Sequence, residues 1–193
     1  MSISTQLYQG ETVCLGSIDY ENDPAVESRW THNSAYLHNL GPQIARPLSP
    51  AQVKKRYEAI EKEVDKSKNL FYFTIRDKKD NRLLGFARLF WIEWTNATGG
   101  IQIAIGNPEE RDQPYAREAL QMVLRFAFQE LNLHRLSAYG LEDDPAGIEL
   151  LKNAGFVEEV RRRKALQRHG NTYDLLLLGL LREEWISNQG TIS

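Results

Sequence analysis

The chain has 193 residues, of which 41% are hydrophobic and 26% charged, and a formal net charge of −2. That length and composition predict a single globular domain, residues 1–193, with a sizeable core. The near-neutral charge argues against a general nucleic-acid binder, which would carry a basic excess, and it supplies no global field to steer a cationic substrate.

Cys14 is the one cysteine. It cannot form an internal disulfide, which points to a reducing, cytoplasmic setting, and between Val13 and Leu15 it reads as a small core residue. Residues Met1 to Gln6 show neither the basic nor the apolar stretch of a secretory signal. The longest apolar run, Leu175–Leu178, is far too short to span a membrane. No membrane, nucleic-acid or metal partner is expected, and a monomer or homodimer is the expected assembly.

Taken in order, Thr12–Ile18 reads as a first strand. Asn22-Asp23-Pro24 then signals a helix running to Trp30, with Asp23 as cap and Pro24 at the first helical position. Pro42, Pro47, Pro50 and Gly41 make Tyr36–Pro50 a loop or a broken helix. Ser49-Pro50-Ala51-Gln52 opens a charged surface helix, whose Val53, Tyr57, Ile60 and Val64 recur every three or four residues. Leu70–Ile75, Leu83–Trp94 and Gly100–Ile105 follow as strands, with turns at Lys78–Asn81 and Thr95–Gly100.

Pro114–Leu131 carries Ala116, Ala119, Val123, Ala127 and Leu131 on one stripe, widened by Leu120, Leu124 and Phe128, and so predicts a deeply packed helix. Arg135–Tyr139 is a short strand. Pro145–Asn153 is a helix ended by Gly155. Phe156–Leu166 and Thr172–Leu180 form a hairpin around Arg168–Asn171. The apolar run in the last strand has no alternation, which predicts burial on both faces. The order β-α-α-β-β-β-α-β-α-β-β describes an α/β (α+β) fold: a mixed, mostly antiparallel sheet with helices on both faces.

The most informative stretch is Ile101–Ala116 with the helix behind it. A strand, a short polar loop and a helix start bring unpaired N–H groups and the positive helix end to one place, which suits a phosphate. Pro114 stands where such loops commonly carry glycine. It fixes φ near −65° and removes a donor, although a helix does not use that donor at its first turn. Asp112 adds a local negative charge and Arg111 offsets it. Arg161–Lys164 is basic but alternates across a strand, so it is a solvated face rather than one patch.

Three pieces together resemble the GCN5-related N-acetyltransferase (GNAT) superfamily, in particular its ribosomal-protein N-terminal acetyltransferase (RimJ/RimL-like) branch. They are Ile105-Gly-Asn-Pro-Glu-Glu-Arg111 running into the helix and Leu131–Leu136; Glu142-Asp-Asp-Pro-Ala-Gly-Ile-Glu-Leu-Leu-Lys-Asn-Ala-Gly-Phe156; and Tyr173–Trp185. The resemblance spans nearly the whole chain. It implies a V-shaped split between two central strands, Gly100–Ile105 and Arg135–Tyr139, with the pantetheine arm of acetyl-CoA between them. The family's Gln/Arg-x-x-Gly-x-Gly/Ala loop falls on Arg111-Asp-Gln-Pro-Tyr-Ala116, where Arg111 and Ala116 match and Pro114 departs. The implied acetyl-CoA site comprises Ile103, Ala104, Ile105, Arg111, Asp112, Gln113, Pro114, Tyr115, Ala116 and Asp144.

Acetyl transfer to an amine needs a deprotonated amine, a polarised carbonyl and a protonated leaving thiolate. The resemblance implies that a backbone N–H at Ile103 or Ala104 polarises the carbonyl. Leu151 stands at the family's frequent tyrosine acid, Asp144 at its asparagine, and Gly100 at its frequent carboxylate. Glu93 shares a strand face with Leu89 and Trp91 and is a candidate base with a raised pKa. Tyr115 and Tyr139 are possible donors, His134 reads as structural, and Trp91 and Trp94 as packing residues. Trp30, Tyr36, Arg46 and Pro47 fall in the region of the acceptor lid. The implied activity is acetyl-CoA-dependent N-acetylation of a protein N-terminus or small amine. The alternatives are a protein of this fold that binds a CoA derivative or a partner without turnover, and a site for a different phosphate ligand.

Overall fold

The computed structural model describes residues 7–41, 46–111 and 113–190. Its centre is a seven-stranded sheet in the order β1-β2-β3-β4-β5-β7-β6. The strands are β1 (Val13–Gly16), β2 (Phe71–Asp77), β3 (Leu83–Glu93), β4 (Thr98–Ile105), β5 (Arg135–Leu141), β6 (Val157–Arg168) and β7 (Asn171–Leu181). All neighbours are antiparallel except β4 and β5.

The helices are α1 (Asp23–Trp30), α2 (Ser34–Asn39), α3 (Pro50–Ser67), α4 (Tyr115–Arg125), α5 (Pro145–Asn153) and α6 (Arg182–Gly190). No helix among the described residues is long and apolar enough to cross a membrane. Helix α4 passes into a π-helical turn, Phe126–Glu130. Its stripe, from Ala119 to Phe128, packs with Ile75, Ala87, Leu89, Ile101 and Ile105 in the main core. Glu118 faces β1 instead, where its carboxylate accepts from the N–H groups of Thr12 and Val13.

The opposite sheet face carries Tyr72 and Arg76 towards α1 and α3. There Glu27 is 2% exposed and accepts from Tyr36 Oη at 2.8 Å and from Tyr57 Oη. Arg56 completes the set as an ion pair. A buried carboxylate is tolerated when it is paired and hydrogen-bonded in this way.

Several sequence expectations are corrected by packing. Cys14 is half-buried, because it alternates with the buried Val13 and Leu15. Asp23 does not cap α1. Asn22 occupies the cap position without a side-chain bond, while the Asp23 carboxylate accepts from Asp19 N and pairs with Arg76. Within the Tyr36–Pro50 stretch, α2 extends to Asn39; Pro42 lies outside the described residues. Ser49 and Gln52 form a capping box at α3. The last strand is largely buried on both faces, with Leu175, Leu176 and Leu178 in the interior. Helix α6 follows it, held partly by Glu184 accepting from Leu181 N.

Replacing Glu27 by alanine strands two tyrosine hydroxyls and a guanidinium. We expect Glu27→Ala to lower unfolding free energy by about 3 kcal/mol in denaturant titration.

Candidate active site

Strands β4 and β5 touch at only three residue pairs: Thr98 with Arg135, Gly99 with Leu136 and Gly100 with Ser137. Beyond Gly100 they part. Each strand remains hydrogen-bonded to its outer neighbour, β4 to β3 through Ile105 and β5 to β7 through Leu141. The gap opens into a groove of about 830 Å³. This is the V-shaped split.

Alternation decides which backbone groups face the gap. Gly106 N donates to Leu84 O across the β3–β4 ladder, and Ala97 O accepts from His134 N on the β5 side. Even-numbered residues of β4 therefore bond to β3, and Ile101, Ile103 and Ile105 point their N–H and C=O groups towards β5. On β5, Arg182 N donates to His134 O and Glu142 N to Asp174 O, which turns the backbone of Tyr139 and Leu141 into the gap. Between the two backbone positions considered from sequence, Ile103 offers an N–H to the groove. Ala104 lines the groove, but its N–H is directed to β3.

One end of the groove is the start of α4. Pro114 takes the cap position with φ −67°, and no side chain caps the helix. The first-turn N–H groups are thus left for a ligand or water. Arg111, Gln113, Ala116, Arg117 and Leu120 line this end, and Asp144, Ala146 and Gly147 face them from the start of α5. Arg111 and Asp144, both expected at the cofactor, meet each other: the Arg111 guanidinium donates to the two carboxylate oxygens at 2.9 and 2.7 Å. Asp144 also caps α5 through Gly147 N. Tyr115 departs from expectation. Its ring packs on the core and its hydroxyl lies 3.5 Å from Asp77. Asp112 lies outside the described residues.

The other end is lined by Tyr36, Leu40, Arg88, Phe90, Trp91 and Gln102. Burial, and then the Glu27 carboxylate, pushes the Tyr36 phenol well above its usual range, so it stays a hydroxyl that donates to Glu27. Trp30 is not part of this wall. Its ring lies against Gly106, where a side chain would collide with it, and it lines a separate cavity with Arg29 and Arg82. Arg46 is exposed and absent from the groove lining.

Glu93 is also corrected. A bulge shifts the β3–β4 register between Phe90 and Glu93, and Trp91 adopts φ 51° within it. Strand alternation fails there. Glu93 is exposed, accepts from Asn96 Nδ2 at 3.0 Å and does not line the groove. The same bulge leaves Trp91 70% and Trp94 48% exposed, so neither is a core packing residue. The missing carboxylate at Gly100 has a steric reason: a Cβ there would lie 2.7 Å from the Phe90 ring. Leu151 lines the groove, and Tyr139, 49% exposed, does so from β5. The His134 side chain is exposed, and its role is carried by its backbone bonds. Sequence reasoning passed over Arg88. The available signal was a lone charge inside Leu83-Leu-Gly-Phe-Ala-Arg-Leu-Phe-Trp-Ile92.

Residues 14–157 match the model of the acetyltransferase (GNAT) domain. The chain belongs to this family, whose members use acetyl-CoA as donor. It is 30% identical over 141 residues to an SPbeta prophage-derived uncharacterized N-acetyltransferase, YokL, of Bacillus subtilis, which covers 73% of this chain and 77% of that protein. The fold is similar to that of a spermidine N-acetyltransferase from Vibrio cholerae solved with CoA and spermine (TM-score 0.77, 19% identity, 92% of this chain and 99% of that one). It is also similar to a ribosomal-protein-S5-alanine acetyltransferase from Vibrio fischeri (TM-score 0.74, 21% identity, 92% and 97%).

The Arg111–Asp144 pair sets a carboxylate beside the uncapped start of α4 and engages the Arg111 guanidinium. Asparagine keeps the cap on α5 without that charge. We expect Asp144→Asn to tighten CoA binding severalfold in isothermal titration, the size of one charge-assisted contact.

Proposed function

We propose that this protein transfers an acetyl group from acetyl-CoA to a primary amine, of a small molecule or a protein N-terminus as in the ribosomal-protein branch. The observation that carries this reading is the split between β4 and β5, which leaves the Ile103 N–H facing the groove. Pantetheine would lie between the strands, with the pyrophosphate at the first turn of α4 near Gln113 and Ala116. The thioester would lie nearer the closed end of the V. There the Ile103 N–H donates to the carbonyl oxygen as negative charge develops on it. The amine nitrogen bonds to the carbonyl carbon, the carbon–sulfur bond breaks, and CoA leaves as the thiol after taking up a proton.

Leu151 cannot donate that proton. The loss is limited, because a thiolate is a weak base; a free thiol has a pKa of about 8.5. Glu93 lies outside the groove and is not the base; without another positioned base the amine loses its proton to bulk water. A second reading, binding of a CoA derivative without turnover, is favoured by Leu151 and by the engagement of Arg111 with Asp144. Thiol release across an amine panel separates the two readings: release with any acceptor excludes the second, and no binding of acetyl-CoA at millimolar concentration overturns the first.

Two outcomes follow from these assignments. Pro114→Gly restores an N–H at the helix start and should tighten acetyl-CoA binding about tenfold; unchanged affinity in titration would count against this loop as the pyrophosphate site. With no positioned base, kcat/KM should rise about tenfold per pH unit below the amine pKa. The inflection should move with the acceptor, from about 8 for an α-amine to about 10 for a lysine-type amine. A fixed inflection for both acceptors would reveal a protein base.

A further inference from the structure

Arg88 sits mid-strand in β3 between the fully buried Ala87 and Leu89. Its own side chain turns to the other sheet face and lines the groove at the end away from α4. The guanidinium is held in place. Its Nε donates to Gln102 Oε1 at 2.8 Å, and Gln102 in turn donates from Nε2 to Leu40 O at 2.9 Å. Phe90 lies beneath it, with the ring centroid 5.0 Å from Cζ. The two terminal nitrogens have no hydrogen-bond partner among the described residues.

The position lacks a counter-ion. No carboxylate among the described residues pairs with Arg88. Outside the described residues the one acidic side chain is Asp112, next in the chain to Arg111 at the α4 end of the groove. Of the acidic residues lining the groove, Asp144 is taken by Arg111, and Glu63 and Glu149 form no ion pair with Arg88. The charged neighbour on this sheet face is another cation, Arg56, itself bound to Glu27. Burial pulls the Arg88 pKa below its ordinary value, but a guanidinium remains charged at any working pH. A half-buried cation with a fixed orientation, and with two donors unpartnered among the described residues, is costly without an anion.

Acetyl-CoA does not supply that anion here. Its charges are phosphates, which belong at the α4 end, and its thioester end is neutral. The anion must arrive with the acceptor. Resting on the acetyl-transfer reading, we infer that the acceptor is a small amine that also bears a carboxylate, bound by the two terminal nitrogens of Arg88. Arg88 is then a specificity residue that selects against polycationic amines.

The test titrates CoA-loaded protein with L-amino acids, each matched with its carboxamide, and with spermidine. The expected result is at least one amino acid binding tenfold or more tighter than its carboxamide. Arg88→Gln should abolish that preference without altering CoA affinity, and Arg88→Lys should restore part of it. In turnover assays, Arg88→Gln should raise KM for the carboxylate acceptor at least tenfold more than KM for its carboxamide. No carboxylate preference anywhere in the panel, tighter binding of spermidine, or a preference that survives Arg88→Gln overturns the inference. Absent CoA binding or thiol release in the same samples defeats the transfer reading instead, and the carboxylate titrations still decide the role of Arg88.

Discussion

The parting of β4 from β5 after three residue pairs is the constraint on which the rest of the molecule depends. A parallel pair that continued would satisfy every backbone group of Ile101, Ile103 and Ile105. Parting leaves those groups facing open space, and inside a protein such groups need a partner. The sheet survives the break because each half is anchored elsewhere, β4 along β3 and β5 along β7. Helix α4 lies on the core side, and the core cluster that its apolar stripe joins draws residues from both halves. The result is a groove with polar backbone in its walls and a helix start at one end.

Departures from the family pattern have local physical reasons. The Phe90 ring occupies the space beside Gly100, so the loss of a side chain on β4 is matched by a large one on β3. Asp144 serves two partners at once, the Gly147 N–H that it caps and the Arg111 guanidinium. That pair neutralises both charges and ties the α4 loop to the start of α5. Nearby, Arg168 performs a similar task, donating to the Asp143 carboxylate and to the carbonyls of His38 and Gly41. The end of α2 is thereby tied to the hairpin of β6 and β7.

The two ends of the groove differ in how their charges are balanced. At the α4 end Arg111 has a partner within the protein. At the other end Glu27 absorbs Arg56 and two tyrosine hydroxyls, while Arg88 bonds to Gln102 and lies over Phe90. The buried Glu27 cluster therefore shapes this wall of the groove through Tyr36, and among the described residues no carboxylate pairs with Arg88.

The sequence alone determined most of the elements, because apolar periodicity and cap chemistry act over a few residues. The stripe of α4, the Ser49 cap of α3 and the unbroken leucines of β7 were all legible, and their order carried the family resemblance. Helix α6 was not, because Arg182-Glu-Glu-Trp185 shows no clear stripe. Alternation misplaced Glu93, since a bulge at Trp91 is a response to packing rather than to local pattern. Tertiary structure alone decided which β4 backbone groups face the groove, because that depends on register with β3. It also decided that Arg111 meets Asp144 and that Arg88 meets Gln102 and no acid among the described residues. Those pairings join residues far apart in the chain, and side-chain charges find their partners only after the sheet has set the distances.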